Sequence, residues 1–274
     1  MKNLLKIFIL CIWIQQLTFV TAAAQQAFLQ NGVTAHRGNS SEFPENSMPA
    51  FVSALELGVD WIELDVFLSA DGKVVVTHDK NLKRVSGVDM EIAAHTFDEI
   101  ASVDIAWEFR NRHQLSLEES PKLTVPLLED VLQLIVSQSK TRLSIQPKMD
   151  CVDEVFELID KYQAAAWVGF NDANLELMKK VKSKNSSVPV FWDRLPDTAI
   201  DKDIETAKAF GFEALVIHYS GITAEKVAKV KATGMEIGAW TVNDIGVMES
   251  LLELGVERIY TDYPNELLKL KRKD

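Results

Sequence analysis

WIELDVFLSADGKVVVTHD, residues 61–79, decides how many strands the fold must close. Residues 61–67 read as a strand with Glu63 and Asp65 on one face and Ile62, Leu64 and Val66 on the other. Residues 74–78 are a second run of β-formers. Only Leu68 to Lys73 joins the two, and a parallel crossover needs roughly a dozen residues. The link is therefore predicted to be a hairpin turning at Asp71-Gly72, and a turn centred there sets Asp65 opposite His78.

Outward from this hairpin, strand-like segments alternate with helical ones almost to the end of the chain. Strands are predicted at 32–36, 61–67, 143–148, 167–170, 189–192, 214–218, 236–242 and 259–262. Helices are predicted at 47–57, 128–138, 152–162, 173–182, 204–209, 224–233 and 243–254. Several end near a glycine, Gly58, Gly211, Gly234 or Gly255, the residue that takes a left-handed cap at least cost. Such alternation implies parallel strands covered by helices. With the hairpin strand set aside, eight strands imply an α/β fold, a TIM (β/α)8 barrel with its functional groups at the C-terminal strand ends. Residues 81–122 have weak periodicity apart from a helical 96–103, and are too long for a plain loop. They are expected to form a small insertion over the barrel mouth, after the hairpin ending at His78.

Residues 1–24 are laid out as a secretory leader: Lys2 and Lys6, an apolar stretch from Ile7 to Val20, then Ala22-Ala23-Ala24. Gln15 and Gln16 interrupt the apolar stretch, which is too short for a secure membrane span. A lipoprotein would place a cysteine at the cleavage point, whereas Cys11 lies inside the apolar stretch. The expectation is an exported protein, periplasmic or extracellular, with one domain over 25–274 and no stable membrane insertion after cleavage. The chain has 29 Lys and Arg against 40 Asp and Glu, and losing Lys2 and Lys6 takes its net charge from −11 to −13. That field disfavours nucleic acid and anionic membranes as partners. Cys151 alone would remain, so no internal disulfide is possible and stability rests on packing.

Glu63 and Asp65 on one apolar strand would repel each other unless a cation lay between them. Oxygen ligands favour a hard ion, Ca²⁺, Mg²⁺ or Mn²⁺, over zinc. The alternative is a solvated strand edge or pairing with arginine. His36 and His78 each close a short strand beside this pair, and at an ordinary pKa of about 6.5 one can act as base while the other carries the proton. Arg37 offers a planar fork for a phosphate oxygen, or pairs with Glu45. Glu45 and Asn46 either cap the helix starting near Ser47, or Glu45 serves near the metal. Ser144, Gln146 and Lys148 share one strand face, so Lys148 is placed to meet a substrate anion or to neutralise Glu63 or Asp65. His218 and Trp240 either shape the pocket or pack, and Phe170 and Trp192 are candidates for an apolar pocket wall. His95 and His113 fall in the insertion with no partner that suggests chemistry.

Together these residues resemble the glycerophosphodiester phosphodiesterase family. The likeness is carried by His36-Arg37-Gly38, Pro44-Glu45-Asn46, Ile62-Glu63-Leu64-Asp65-Val66, Asp71-Gly72 and Val76-Thr77-His78-Asp79. It continues through Val125-Pro126-Leu127-Leu128-Glu129-Asp130-Val131-Leu132, Trp240-Thr241-Val242-Asn243-Asp244 and Thr261-Asp262-Tyr263-Pro264. The resemblance implies a TIM barrel with a small insertion that uses one divalent cation, Ca²⁺ or Mg²⁺, to hydrolyse glycerophosphodiesters to sn-glycerol 3-phosphate and an alcohol. It implies His36 and His78 as the general acid and base, and Glu63 and Asp65 as metal ligands. Arg37 and Lys148 would hold the phosphate, with Glu45 and Trp240 also on the substrate. Gln146 is a departure, because the family's strand usually carries a glutamate two residues before its lysine. An amide oxygen still coordinates a hard cation but brings no negative charge, so weaker metal binding or help from Glu45 is expected. Two alternatives keep the same residues: a lyase that stops at a cyclic phosphate, and a catalytically impaired barrel that binds phosphodiesters.

Overall fold

Strand β2 (Trp61–Leu68) buries every side chain but its last, as a strand does only when both of its faces are covered. The computed structural model describes residues 30–272, so the predicted leader at 1–24 lies outside the described residues. On one side β2 pairs in parallel with β4 (Arg142–Pro147); on the other it pairs in parallel with β1 (Val33–His36) along its first half and with the antiparallel β3 (Val74–Val76) at its end. The sheet continues through β5 (Val168–Asp172), β6 (Val190–Arg194), β7 (Ala214–His218), β8 (Glu236–Trp240) and β9 (Arg258–Thr261), which pairs back onto β1. Among the described residues, eight parallel strands thus close a TIM barrel, as the alternation predicts.

The hairpin forms, with a register that differs from the expected one. Val66 pairs with Val76, so Asp65 faces Thr77 instead of His78, and the Thr77 amide donates to the Asp65 carbonyl at 3.0 Å. The reason is the turn. Ser69 and Lys73 close a three-residue loop whose last member, Gly72, has φ +75°, and an odd loop shifts the pairing by one. Strands β5 and β6 run two residues past their expected ends, because Asp172 finds Trp192 as partner and Asp193 finds Val216.

α1 (Met48–Leu57) follows β1, and the insertion carries three short helices, α2 (Lys83–Ser86), α3 (Phe97–Ala101) and α4 (Trp107–His113). Only α3 is anticipated by the sequence; Thr96 and Glu99 form its capping box. These helices surround a small core in which Leu82, Ile92, Ile100 and Ile105 meet Phe67 and Val75 of the hairpin. The outer layer continues with α5 (Leu128–Val136), α6 (Val152–Lys161), α7 (Leu175–Lys184), α8 (Ile200–Phe210), α9 (Ala224–Lys231), α10 (Ile245–Glu253) and α11 (Pro264–Lys271).

The helix-facing side of the barrel takes Ile62, Leu64, Val66, Ile145, Phe170 and Trp192 into the main core. Phe170 stacks on Phe156 of α6 and Trp192 meets Phe212, so these two are outer packing and not the apolar pocket wall expected of them. Period two then turns Asn171 and Asp193 inward. Inside the barrel, Trp61, Phe191, Ala214, Val216 and Tyr260 form a plug. Arg258 lies over Phe191 and Trp61 and pairs with Glu236 at 2.9 Å.

Gly38 follows β1 at φ +84°, where an added Cβ would lie 2.7 Å from the Ala50 Cβ of α1. Gly38→Ala is expected to lower stability by about 2–4 kcal/mol through left-handed strain and overpacking. Urea unfolding checks this, and an unchanged midpoint would show that loop and helix do not need the close approach.

Candidate active site

The C-terminal strand ends surround a recess of about 320 Å³ lined by His36, Arg37, Glu63, His78, Gln146, Lys148 and Trp240. Every one of these is a residue the sequence nominates. Asn171, Asp172 and Asp193 line it as well, and Asp65 lies beneath with no exposed surface. A second recess of about 220 Å³ shares His36 and Arg37 and is bordered by Glu45, Arg112, His113 and Asp262.

Each histidine is anchored through Nδ1 by a carboxylate. His36 Nδ1 lies 2.7 Å from Asp262 Oδ1, and Asp262 in turn accepts from Asn243 at 2.6 Å and from the Ser40 hydroxyl at 3.1 Å. His78 Nδ1 lies 2.8 Å from Asp79 Oδ1. Their surroundings push the two rings apart. Burial works against charge on His36, but the Asp262 hydrogen bond and the nearby Glu63 outweigh it and raise its pKa. Burial also works against charge on His78, and with Arg37 and Lys148 close by it prevails over Asp65 and Asp79, so that pKa falls.

Arg37 and Asn46 take left-handed φ values of 57° and 52°, costing about 1–3 kcal/mol each for a non-glycine residue. What holds them is the site. The Arg37 amide donates to Glu63 Oε2 at 3.0 Å, its guanidinium reaches Glu45 at 3.0 Å and approaches Asp65 at 3.4 Å. The Asn46 amide nitrogen donates to the Arg37 carbonyl at 3.0 Å, and its side chain to Asp65 Oδ2 at 2.9 Å. Ser47 itself caps α1 by accepting from Ala50, so Glu45 and Asn46 do not have the capping role considered for them. Lys148 lies 3.5 Å from Asp65 and 3.1 Å from Gln146 Oε1. Both cations thus pair with protein carboxylates while lining the recess.

Glu63 is pushed up to about 7 by burial and by Asp65 beside it, against the pull of His36 and Arg37. Asp193 rises well above its ordinary range through burial and the charges of Asp172 and Glu63, against the pull of Asn171 and Lys148. Asp65 Oδ1 is buried and accepts no hydrogen bond among the described residues. Carboxylates in this state are short of positive charge and fit a hard divalent cation. The donors would be Glu63, Asp65 and the Gln146 amide oxygen. Among the described residues no three His, Cys, Asp or Glu side chains form a ready-made metal cluster, so the Gln146 amide oxygen would have to complete such a set.

Some functional positions escape the sequence reading. Asp262 sits in a quoted motif but has no visible link to His36 until β9 closes on β1. Arg84 of α2 bonds Asp79 at 2.5 Å and forks onto Glu45 at 2.6 and 2.8 Å, tying the insertion to the site. No sequence signal marks it. Trp240 donates to the Arg194 carbonyl at 3.3 Å and stands edge-on to His218, which packs beside it. His113 borders the second recess, whereas His95 bonds the Glu91 carbonyl within the insertion.

The model of the glycerophosphoryl diester phosphodiesterase family matches residues 36–266. Over 248 residues the chain is 31% identical to the glycerophosphodiester phosphodiesterase of Bacillus altitudinis, covering 87% of this chain and 97% of the relative. The crystal structure of a glycerophosphodiester phosphodiesterase from Parabacteroides distasonis has the same fold, with a TM-score of 0.73 at 24% identity over 88% of this chain and 97% of that one. So has an Oleispira antarctica phosphodiesterase in complex with the product sn-glycerol-3-phosphate, with a TM-score of 0.74 at 24% identity over 88% and 96%. The barrel and its family match make the protein an enzyme, a phosphoric diester hydrolase. More particularly, the chain belongs to the glycerophosphoryl diester phosphodiesterase family.

Burial alone would raise the pKa of Glu45, but Arg84 and Arg37 more than offset it and lower the value. A depressed folded pKa contributes stability that is complete above the unfolded value of about 4.3 and is lost as pH falls through the folded one. Glu45→Gln should therefore cost about 1–2 kcal/mol at pH 7, with the gap closing below about pH 4. Urea unfolding at both pH values tests this, and an equal gap at both would refute it.

Proposed function

We propose that the chain hydrolyses glycerophosphodiesters to sn-glycerol 3-phosphate and an alcohol, with His36 and His78 exchanging protons at a phosphate held by Arg37 and Lys148. The observation that carries this reading is the pair of imidazoles on one recess, each held through Nδ1 by a carboxylate so that Nε2 is left for proton transfer. The Asp262 hydrogen bond favours the imidazolium of His36, suited to protonating the departing alkoxide. Burial, with Arg37 and Lys148 close by, favours neutral His78, suited to deprotonating the nucleophile: either water, or the substrate's own adjacent hydroxyl, with water then opening the cyclic phosphate. Arg37 and Lys148 turn from Glu45 and Asp65 to the phosphate oxygens. When bound at Glu63, Asp65 and the Gln146 oxygen, a divalent cation such as Ca²⁺ or Mg²⁺ supplies neutralisation of phosphate charge and polarisation of the P–O bond. Trp240 walls the recess on the opposite side.

The test is turnover of a glycerophosphodiester panel followed by phosphorus NMR, with and without chelator. His36→Ala and His78→Ala are each expected to lower kcat/KM by about 10²–10⁴, and chelation to stop turnover. Undiminished activity in either variant would sink the acid-base assignment, and a persistent cyclic phosphate would replace the hydrolase with a lyase.

Export is supported by the leader layout of 1–24. Among the described residues no helix is long and apolar enough to cross a membrane. The intact mass of protein recovered outside the cytoplasm of an expressing cell should correspond to a chain starting at Gln25; a full-length mass there would contradict cleavage.

A further inference from the structure

Gln146 stands where an acid is expected, and the inward face of the barrel carries an acid elsewhere. Asp193, near the end of β6, is 6% exposed and lines the same recess as His36 and Lys148. Its Oδ2 accepts from the Asn171 side chain at 3.1 Å and from Gln146 Nε2 at 3.3 Å. Its Oδ1 is buried without a hydrogen bond among the described residues. Asn171 is fixed from behind, because the Ser144 hydroxyl donates to its carbonyl at 2.7 Å and leaves its amino group for Asp193. Gln146 is fixed likewise. With its nitrogen drawn to Asp193, and also to the Asp172 carboxylate at the rim, its oxygen turns to the other side, where Lys148 Nζ lies 3.1 Å away and leads to Asp65.

We infer that Asp193 is a positioning residue for the divalent-cation site: it holds the Gln146 amide with its oxygen toward Glu63 and Asp65, and it supplies from β6 the negative charge that β4 lacks. The inference rests on the metal-dependent reading proposed above. A glutamine free to rotate would present its amino group to a cation as readily as its oxygen. The ionised form that a cation nearby favours only accepts, so a contact with Asp193 then removes the choice. The same geometry explains why restoring an acid at 146 alone should not help. Gln146→Glu would set two carboxyl groups against each other across a 3.3 Å contact, where they repel unless one takes up a proton and gives back the added charge. In the exchanged pair, Gln146→Glu with Asp193→Asn, the new amide at 193 can donate to the new carboxylate at 146, and the summed charge is unchanged.

Isothermal titration of the purified protein with Ca²⁺, together with thermal melting, tests this without reference to turnover. Asp193→Asn is expected to weaken Ca²⁺ binding by about 10–100-fold, the usual cost of losing a partner that orients a ligand. Gln146→Glu alone should bind no more tightly than the wild type and melt lower, and the exchanged pair should recover both affinity and melting temperature. Undiminished Ca²⁺ affinity in Asp193→Asn overturns the inference, as does a Gln146→Glu protein that binds more tightly at an unchanged melting temperature. If Asp193→Asn does not fold, the exchanged pair decides: it must bind Ca²⁺ at least tenfold better than Gln146→Glu, and equal affinities overturn the inference. A wild-type protein that binds no Ca²⁺ and no Mg²⁺ overturns the cation reading and this inference with it, whereas normal wild-type binding with an unaffected Asp193→Asn overturns this inference alone.

Discussion

Asp65 has no exposed surface, and the mouth of the barrel is arranged around the need to accommodate its charge. A buried carboxylate without partners costs several kcal/mol, and this one draws its partners from two separate segments. Asn46 and Arg37 come from the loop after β1, Lys148 from just beyond β4. Meeting it forces two non-glycine residues of that loop into left-handed conformations. The loop would not adopt that shape by its own preferences. Since Arg37 also uses its backbone amide to bind Glu63, the carboxylate pair on β2 fixes the position of the very guanidinium available to a phosphate.

Barrel closure does for the histidines what Asp65 does for the cations. His36 is near the start of the described chain and Asp262 near its end, and the parallel pairing of β9 with β1 brings them to 2.7 Å. His78 takes its carboxylate from the next residue, but that carboxylate is steadied by Arg84 of the insertion. The insertion therefore contributes charge as well as cover. Its guanidinium links Asp79 to Glu45, and Glu45 links onward to Arg37, so His78, the rim and Arg37 share one run of hydrogen-bonded and ion pairs.

Where strand periodicity and residue chemistry agree, the sequence is readable. The eight barrel strands, the shared face of Glu63 and Asp65, and the placing of His36, Lys148 and Gln146 at the mouth all follow from alternation. Reading fails where a partner elsewhere in the chain overrides local preference. Asp193 lies just past the strand expected at 189–192, yet β7 supplies a neighbour and extends β6 through it. That extension settles which face is inward, and it moves Phe170 and Trp192 to the helix side. The hairpin register slips for a smaller reason, a loop of three residues in place of two. Arg84 lies in a stretch without periodicity, and nothing short of the folded insertion connects it to Glu45.

Charge balance gives the strongest physical support for a cation at this site. Glu63, Asp172 and Asp193 line the recess and Asp65 lies beneath it, while Arg37 and Lys148 are the arginine and lysine lining it among the described residues. Arg37 is already shared with Glu45. Burial first, and then like-charged neighbours, push the Glu63 and Asp193 pKa values up, the direction a nearby cation would reverse. A phosphodiester brings a further negative charge and draws on the same two cations, which would leave Asp65 with less compensation than it has now. A divalent ion among Glu63, Asp65 and the Gln146 oxygen offsets both losses at once. An amide at 146 is then consistent with the rest of the mouth, because a further carboxylate would enlarge the deficit that the ion has to meet.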